Sequence, residues 1–534
     1  MFYWTWHVDG QVKGEPVNVN LVTTLFPKAI NDYEHPIWKR LGTGYHWDEP
    51  LFGYYRATDP WVLRKHAEML ADAGVDVIVF DATNGNLTWK NSYEVLFPVF
   101  EQARKDGVRA PFVAFMLPFG PWPHSLESIT QLYEEVYKPG RFKDLWFQWK
   151  GKPLIMAYPD NVPEPIKSFF TFRPGQPVYK TGPERPDHWG WLEIAPQHGF
   201  VKTESGGFEQ VTVGVAQNAT DTLWPAAMND PDVSYGRGYT VKHGQNHSPQ
   251  AVASGLNFQE QWDRALELDP ELVFVTGWNE WIAGRYKEWQ KTENAFPDQF
   301  NAEFSRDIEP MKGGFGDNYY YQLIANIRRF KGVDPPERPS GPVTIALDGD
   351  FADWDAVRPE YHDYRGDTMH RDHPGYGNRL VYVNATGRND IVRAKVARDA
   401  ENVYFHVSTA EPITPPEGSH WMVLLIDVDR DKKTGWEGYD VVVNRIAPDG
   451  ESAFFEVNAG EWKWQIAGTV PFRVNGSQMA LAIPRAFLGD DAEPLDFEFK
   501  WSDNVQKGGD VMEFYHAGDA APGGRFNYLF SEGR

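Results

Sequence analysis

The stretch Tyr54–Gly85, YYRATDPWVLRKHAEMLADAGVDVIVFDATNG, decides how the first part of the chain is read. Asp59 stands where a helix N-cap belongs, Pro60 takes the first helical position and Gly74 follows the end. The spacing predicts a helix over 60–74. Val75–Phe80 (VDVIVF) then reads as a buried strand. That strand runs into Asp81 and an Ala-Thr-Asn-Gly turn, whose Asn and Gly accommodate unusual backbone angles.

The same alternation extends outward in both directions. Further β-type runs lie at Phe2–Trp6, Phe52–Arg56, Pro111–Leu117, Pro153–Tyr158, Trp189–Ala195, Gln210–Ala216 and Leu272–Gly277. Helical patterns cover Tyr93–Asp106, Leu126–Tyr137, Phe258–Leu268 and Asn318–Phe330. Apolar strands separated by helices imply a parallel sheet buried on both faces. The expected fold class is α/β, with a (β/α)8 TIM barrel over residues 1–333. A doubly wound sheet is the alternative. It would carry a G-x-G-x-x-G turn after its first strand, and none stands there.

At Asp334–Pro342 (DPPERPSGP) four prolines in nine residues make a stiff linker. Beyond it, over 343–534, short alternating runs replace helices: Val343–Leu347, Leu380–Asn384, Ile391–Ala397, Val403–Ser408, Met422–Asp427, Tyr439–Asn444, Ala453–Val457, Met479–Ala482 and Phe497–Trp501. An antiparallel β-sandwich is expected there.

Composition narrows the function. A formal net charge of −23 repels phosphate backbones, so nucleic acid is not an expected partner. The absence of cysteine excludes disulfides, thiolate catalysis and Cys-type zinc sites. No run is long and apolar enough for a membrane span. The start MFYWTWHVDG lacks the basic and apolar regions of a signal peptide, so a secreted, periplasmic or cell-surface location is expected only if a leader is removed. Oligomeric state is left open. The 22 tryptophans suit either a carbohydrate-facing protein or large aromatic cores.

Chemistry concentrates at the end of the last strong strand, LVFVTGWNEW, Leu272–Trp281. Glu280 stands between two indoles where an α/β barrel opens onto its loop-built face. Rings stack on sugar faces and carboxyls handle protons, so a glycan is the expected substrate. The plainer reading is that Asn279 and Glu280 cap a turn. Glycosidic cleavage needs a second carboxyl. Asp81, Glu193 in HWGWLEIAP and Asp160 after LIMAYP are the strand-end choices, against caps or salt bridges. Asp81 and Glu193 are taken as catalytic candidates beside Glu280. Asp160, Trp6, His7, Gln217, Asn218, Trp278, Asn279, Trp281 and Arg285 are candidates for holding the sugar. Core packing is the plainer role for Trp6, and ordinary hydrogen bonding for His7. No cofactor is expected for catalysis.

The Asp-Pro helix start, the strand ending in Asp81 and Trp-Asn-Glu-Trp together resemble the barrel of glycoside hydrolase family 99 and its WbsX-type relatives, and more broadly family 71. The resemblance implies a (β/α)8 enzyme acting on α-linked glycans or polysaccharides. The family 99 pattern continues Trp-Asn-Glu-Trp-His-Glu-Gly and holds both catalytic glutamates in that motif. Here Glu280 matches the first, and Ala283 stands in place of the second. Either another strand supplies the partner acid, or the barrel binds glycan without cleaving it.

In the second region, Ile345–Trp354 (IALDGDFADW), Asn402–Phe405 and the GWEGYD stretch resemble family 9 carbohydrate-binding modules and DOMON-like sandwiches. Asp427, Asp429 and Asp431 alternate as hard oxygen donors that suit a structural Ca2+, although Lys432 departs from the EF-hand loop and a solvated acidic turn is the plainer reading. Trp421, Trp436, Trp462 and Trp464 are either a sugar platform or sandwich core.

Overall fold

The computed structural model describes residues 1–8, 14–38, 42–348, 350–450, 452–488 and 494–533. Gly349, within the IALDGDFADW signature, lies outside the described residues. The chain divides into two compact units. One comprises Met1–Val333 with His373–Tyr382, and the other Asp334–Asp372 with Val383–Arg534.

The first unit is α/β with parallel strands. Phe2–Tyr3 pairs with Val77–Asp81, which pairs with Phe112–Met116, then Lys152–Met156, then Thr171–Phe172, all parallel. Phe208–Gly214 and Leu272–Thr276 form a second parallel pair. A single parallel bridge joins Gly175 to Trp189, and the amide of Trp278 donates to the carbonyl of Phe2 at 2.9 Å. Alternate residues from these strands meet in one interior cluster: Phe2 and Trp4, Val77 and Val79, Ala114 and Met116, Leu154 and Met156, then Phe274. That period of two sends every second side chain inward.

The helix after Asp59 spans Pro60–Asp72. Asp59 accepts from the amide of Trp61 at 3.1 Å, and Gly74 takes the left-handed φ of +78° that ends the helix. Three expectations are corrected. Phe52–Arg56 is no strand, because Gly53 turns at φ +75° and the chain folds back on itself. Trp189–Ala195 contributes only the bridge at Trp189. Beyond the Trp-Asn-Glu-Trp motif, a hairpin of Ile282–Trp289 and Thr292–Ala295 pairs antiparallel with Gly42–His46, three strands absent from the sequence reading.

The second unit contains a large antiparallel sheet. Its strand order is Glu360–His362, Ile391–Arg398, Asn402–Thr409, Gln478–Pro484, Trp464–Asn475, Ser452–Asn458, Val441–Val443, Val423–Asp427, Asp496–Asp503, Asp519–Ala521. Trp464–Asn475 is twelve residues long and pairs with Ser452–Asn458 through one stretch and Gln478–Pro484 through the other. Inward residues from both halves, such as Phe405 and Val407 on one side and Leu424, Ile426, Phe499 and Trp501 on the other, share one core. Val343–Leu347, expected as a strand, is irregular.

Candidate active site

Glu280 lies in the turn between the end of Leu272–Thr276 and the start of Ile282–Trp289. Its neighbours set its position. The side chain of Asn279 accepts from the amide of Trp4 at 2.9 Å and donates to the carbonyl of the same residue at 3.1 Å. The indole of Trp281 stacks on Trp47 at 5.1 Å and donates to Glu309. Glu309 also receives Tyr55, and it contacts His66, which in turn meets the hydroxyl of Tyr3. Trp278 packs edge-on against His66 and Tyr320. At Gly277 the ring of Trp4 lies 2.0 Å from where a Cβ would stand, so only glycine fits. Asn279, Trp278 and Trp281 thus brace the motif from behind.

Glu280 itself faces a cavity of about 470 Å3. Asp81, Asp298, Arg306, Asn218 and Tyr179 share its wall, with an aromatic rim that includes Trp6, Trp89, Trp191, Trp224, Tyr286 and Trp289. Arg306 donates to Oε2 of Glu280 at 3.0 Å, and Gln299 donates to the same oxygen at 2.9 Å. Among the described residues Oε1 has no hydrogen-bond partner. Arg306 also approaches Asp298 at 3.7 Å and the Asn218 side-chain oxygen at 3.3 Å, while Tyr179 donates to that same oxygen at 2.8 Å.

Glu280 and Asp298 at one guanidinium, with Asp81 on the same wall, influence one another's ionisation. Burial pushes Glu280 well above its usual value; Arg306 pulls it back, while Asp298, Asp307 and Asp81 push it further up. Burial also raises Asp81, against hydrogen bonds from the hydroxyl and amide of Thr83 at 2.7 and 2.9 Å. Asp298 is raised by burial too, although 41% of its side-chain surface is free. That surface opens on the cavity, whose walls withdraw bulk water. The result is a glutamate that burial raises and Arg306 lowers, beside aspartates in an aromatic-walled cleft.

Of the residues singled out from the sequence, Glu280, Asp81, Trp6 and Asn218 line this cavity together. The others do not line it. Glu193 is buried elsewhere, its two oxygens held by the ring and amide of His198 at 2.9 and 3.0 Å. Asp160 is exposed and 3.7 Å from Arg185. Gln217 accepts from Asn257 at 3.0 Å within the interior. His7 is buried against Tyr55, its two ring nitrogens have no hydrogen-bond partner among the described residues, and burial drives its pKa down to about 3, which keeps it neutral. Arg285 is sandwiched between Tyr33 and Trp38, each 4.4 Å from the guanidinium.

Ala283 explains its own identity. Its side chain joins a buried apolar cluster with Val19, Trp38, Tyr45 and Phe296, while Ile282 and Gly284 on either side line the cavity. Strand alternation turns position 283 away, so an acid there would be desolvated. Asp298 and Arg306 were missed by sequence reasoning. Both come from the irregular chain after the hairpin, and only the hairpin's fold-back brings them to Glu280.

In the second unit, Asp440 rather than Asp431 joins Asp427 and Asp429 in a group with oxygens within 4.8 Å. Asp431 instead accepts from the amide of Lys433. The ammonium of Lys432 already sits 2.6 Å from Asp427 and 2.5 Å from Glu498. A Ca2+ there would have to displace it. Trp436, Trp462 and Trp464 form an edge-to-face row with centroids 4.3 and 5.6 Å apart, whereas Trp421 is fully buried core.

With this geometry established, comparison with known proteins is informative. No protein-family model matches the chain. Human glycoprotein endo-alpha-1,2-mannosidase-like protein is 22% identical over 314 residues, covering 53% of this chain and 66% of its own length. The mouse protein of that name is 20% identical over 328 residues, covering 53% and 67%. The chain is similar to endo-alpha-1,2-mannosidase-like proteins. It spans about two thirds of the length of these curated relatives. Two solved structures of the family 99 endo-alpha-mannosidase of Bacteroides thetaiotaomicron align over 62% of this chain and 96% of theirs at 17% identity. The TM-scores are 0.34, for the complex with BIS-TRIS-Propane, and 0.36. Among the described residues no helix is long and apolar enough to cross a membrane.

Proposed function

We propose that this protein is a glycoside hydrolase that cleaves an α-linked, mannose-containing glycan, with Glu280 as general acid and Asp81 as the opposing carboxylate. The observation that carries the reading is Glu280 and Asp81 lining one aromatic-walled cavity, with the environment of Glu280 favouring its protonated form. Glu280 gives its proton to the glycosidic oxygen as the bond from the anomeric carbon breaks. Asp81, ionised, takes the proton of the incoming water or attacks the anomeric carbon itself. Arg306 and Gln299 hold one oxygen of Glu280 and leave the other for the substrate. Tryptophans of the rim supply flat apolar faces for sugar rings. The names of the curated relatives favour mannose as the sugar to test first. The parallel strands, the bridge at Trp189 and the tie from Trp278 to Phe2 support a closed (β/α)8 barrel around this site. The second unit is read as a glycan-binding sandwich, with the Trp436–Trp464 row as its sugar-facing candidate.

The test is release of reducing ends from a panel of α-mannosyl oligosaccharides, comparing the wild type with Glu280→Gln and Asp81→Asn. Release by the wild type, lost in both variants with oligosaccharide binding retained, supports hydrolysis. Tight binding without release by the wild type supports the rival reading, a glycan-binding protein, which the turned-away Ala283 favours.

A further inference from the structure

Far from the cavity in sequence, the second unit collects acidic side chains at the starts of two strands and in one turn. Asp363 follows the strand Glu360–His362, Asp367 lies in the next turn, and Asp519 opens the strand Asp519–Ala521. Oxygens from these three carboxylates all lie within 4.8 Å of one another. Asp390, just before Ile391–Arg398, adds a fourth negative group that acts on Asp519. Its Oδ2 accepts from the amide of Gly366 at 2.9 Å, in the turn between Asp363 and Asp367.

Asp519 carries the argument. Its side chain is only 3% exposed. Oδ2 accepts from the amide of Ile391 at 2.6 Å, while Oδ1 is buried and has no hydrogen-bond partner among the described residues. A buried carboxylate oxygen left unsatisfied is costly, and facing it with other carboxylates adds repulsion. Burial, then Asp367 and Asp363, push its pKa well above the usual range. Asp363, Asp367 and Asp390 make contacts of their own besides. None of that supplies Oδ1 of Asp519.

The distances suit one ion. Ca2+ binds oxygen at about 2.4 Å, so two ligands on opposite sides of it stand about 4.8 Å apart. Three carboxylate oxygens within that limit can share a single centre. The donors are all hard oxygens, which exclude thiophilic metals and suit Ca2+ over the smaller, stricter Mg2+. We propose that Asp363, Asp367 and Asp519 form a structural Ca2+ site that ties the turn after Glu360–His362 to the start of Asp519–Ala521. This site is distinct from the Asp427 group, where Lys432 already pairs with Asp427.

The experiment uses the full chain, stripped with EDTA and titrated with CaCl2 or MgCl2 by calorimetry, with thermal unfolding followed in parallel. The expected result is one Ca2+ bound per chain, an unfolding transition raised by Ca2+ and not by Mg2+, and reversal by EDTA. Asp519→Asn and Asp363→Asn should each weaken Ca2+ binding by on the order of 100-fold, while Asp427→Asn keeps it. Asp363 is less buried than Asp519, so its variant tests the site even if Asp519→Asn fails to fold. Absence of Ca2+ binding by the stripped wild type overturns the proposal and leaves Asp519 as a buried protonated acid. Binding that survives in Asp363→Asn, or that disappears in Asp427→Asn alone, overturns it as well.

Discussion

Both units gather buried carboxyls, and they manage them differently. In the first, Glu280 and Asp298 surround Arg306, whose guanidinium is part of the protein and fixed by Asn218. Around that pair the wall opens into a cavity rimmed with tryptophan. In the second, Asp363, Asp367 and Asp519 converge with one oxygen unsatisfied. Arg306 offsets the charge of the carboxyls beside it, while burial acts in the opposite sense on Glu280, so the two set its pKa between them. In the Asp519 cluster a buried oxygen is left without a hydrogen-bond partner among the described residues, and the proposed ion would meet it. The contrast teaches that acid clusters are told apart by what neutralises them and by the space beside them, not by how many acids meet.

The sharpest way to break this contrast is at Glu280. Glu280→Gln should lower turnover by on the order of 10²–10⁴-fold with binding intact, read as reducing-end release against oligosaccharide affinity. Next comes its partner. Arg306→Met removes a hydrogen-bond donor to the buried Glu280 and the cation beside Asp298 and should cost about 3 kcal/mol, measured by urea unfolding at neutral pH.

A third variant probes the layer beneath. Asp307 accepts the indole of Trp47, while burial lifts its pKa to about 7 against Arg237 and with Glu309. In the unfolded chain this acid loses its proton near 4, whereas the fold retains it until about 7. Its contribution is therefore full below pH 4 and is lost as pH rises towards 7, with at most about 4 kcal/mol at stake. Asp307→Asn should flatten that part of the slope in unfolding midpoints taken from pH 4.5 to 8. The smallest effect is expected at Asp160, exposed and loosely paired. Asp160→Ala should move stability by less than about 0.5 kcal/mol and leave turnover unchanged. A large loss there would mean that the cavity is not the seat of the chemistry.

Much of this arrangement was legible in the chain. Asp59-Pro60 and Gly74 mark a helix by chemistry that needs no tertiary context. VDVIVF fixes the strand that presents Asp81, and the apolar run before Trp278 fixes the one that presents Glu280. What stayed hidden depends on long-range folding. Asp298 and Arg306 sit in chain with no periodic pattern, and Glu193 looks no different from Asp81 until His198 is seen to occupy it. The strand Trp464–Asn475 lacks a clean alternation because it is mostly exposed along its first half. In the second unit Asp519 lies more than 150 residues along the chain from Asp363 and Asp367, and no local spacing announces the group.

The grip of Asn279 on both backbone groups of Trp4 spans 275 residues. It makes the start of the chain a part needed for the placement of Glu280. A molecule from which the Trp4 segment has been clipped keeps Glu280 and Asp81 but loses the contact that places Glu280. Closing so long a loop is slow and entropically costly, and it is offset only when the other strands are already in register. The activity proposed here would therefore switch on as a late event of folding, and a partly made or damaged molecule would be inert towards glycans rather than weakly active.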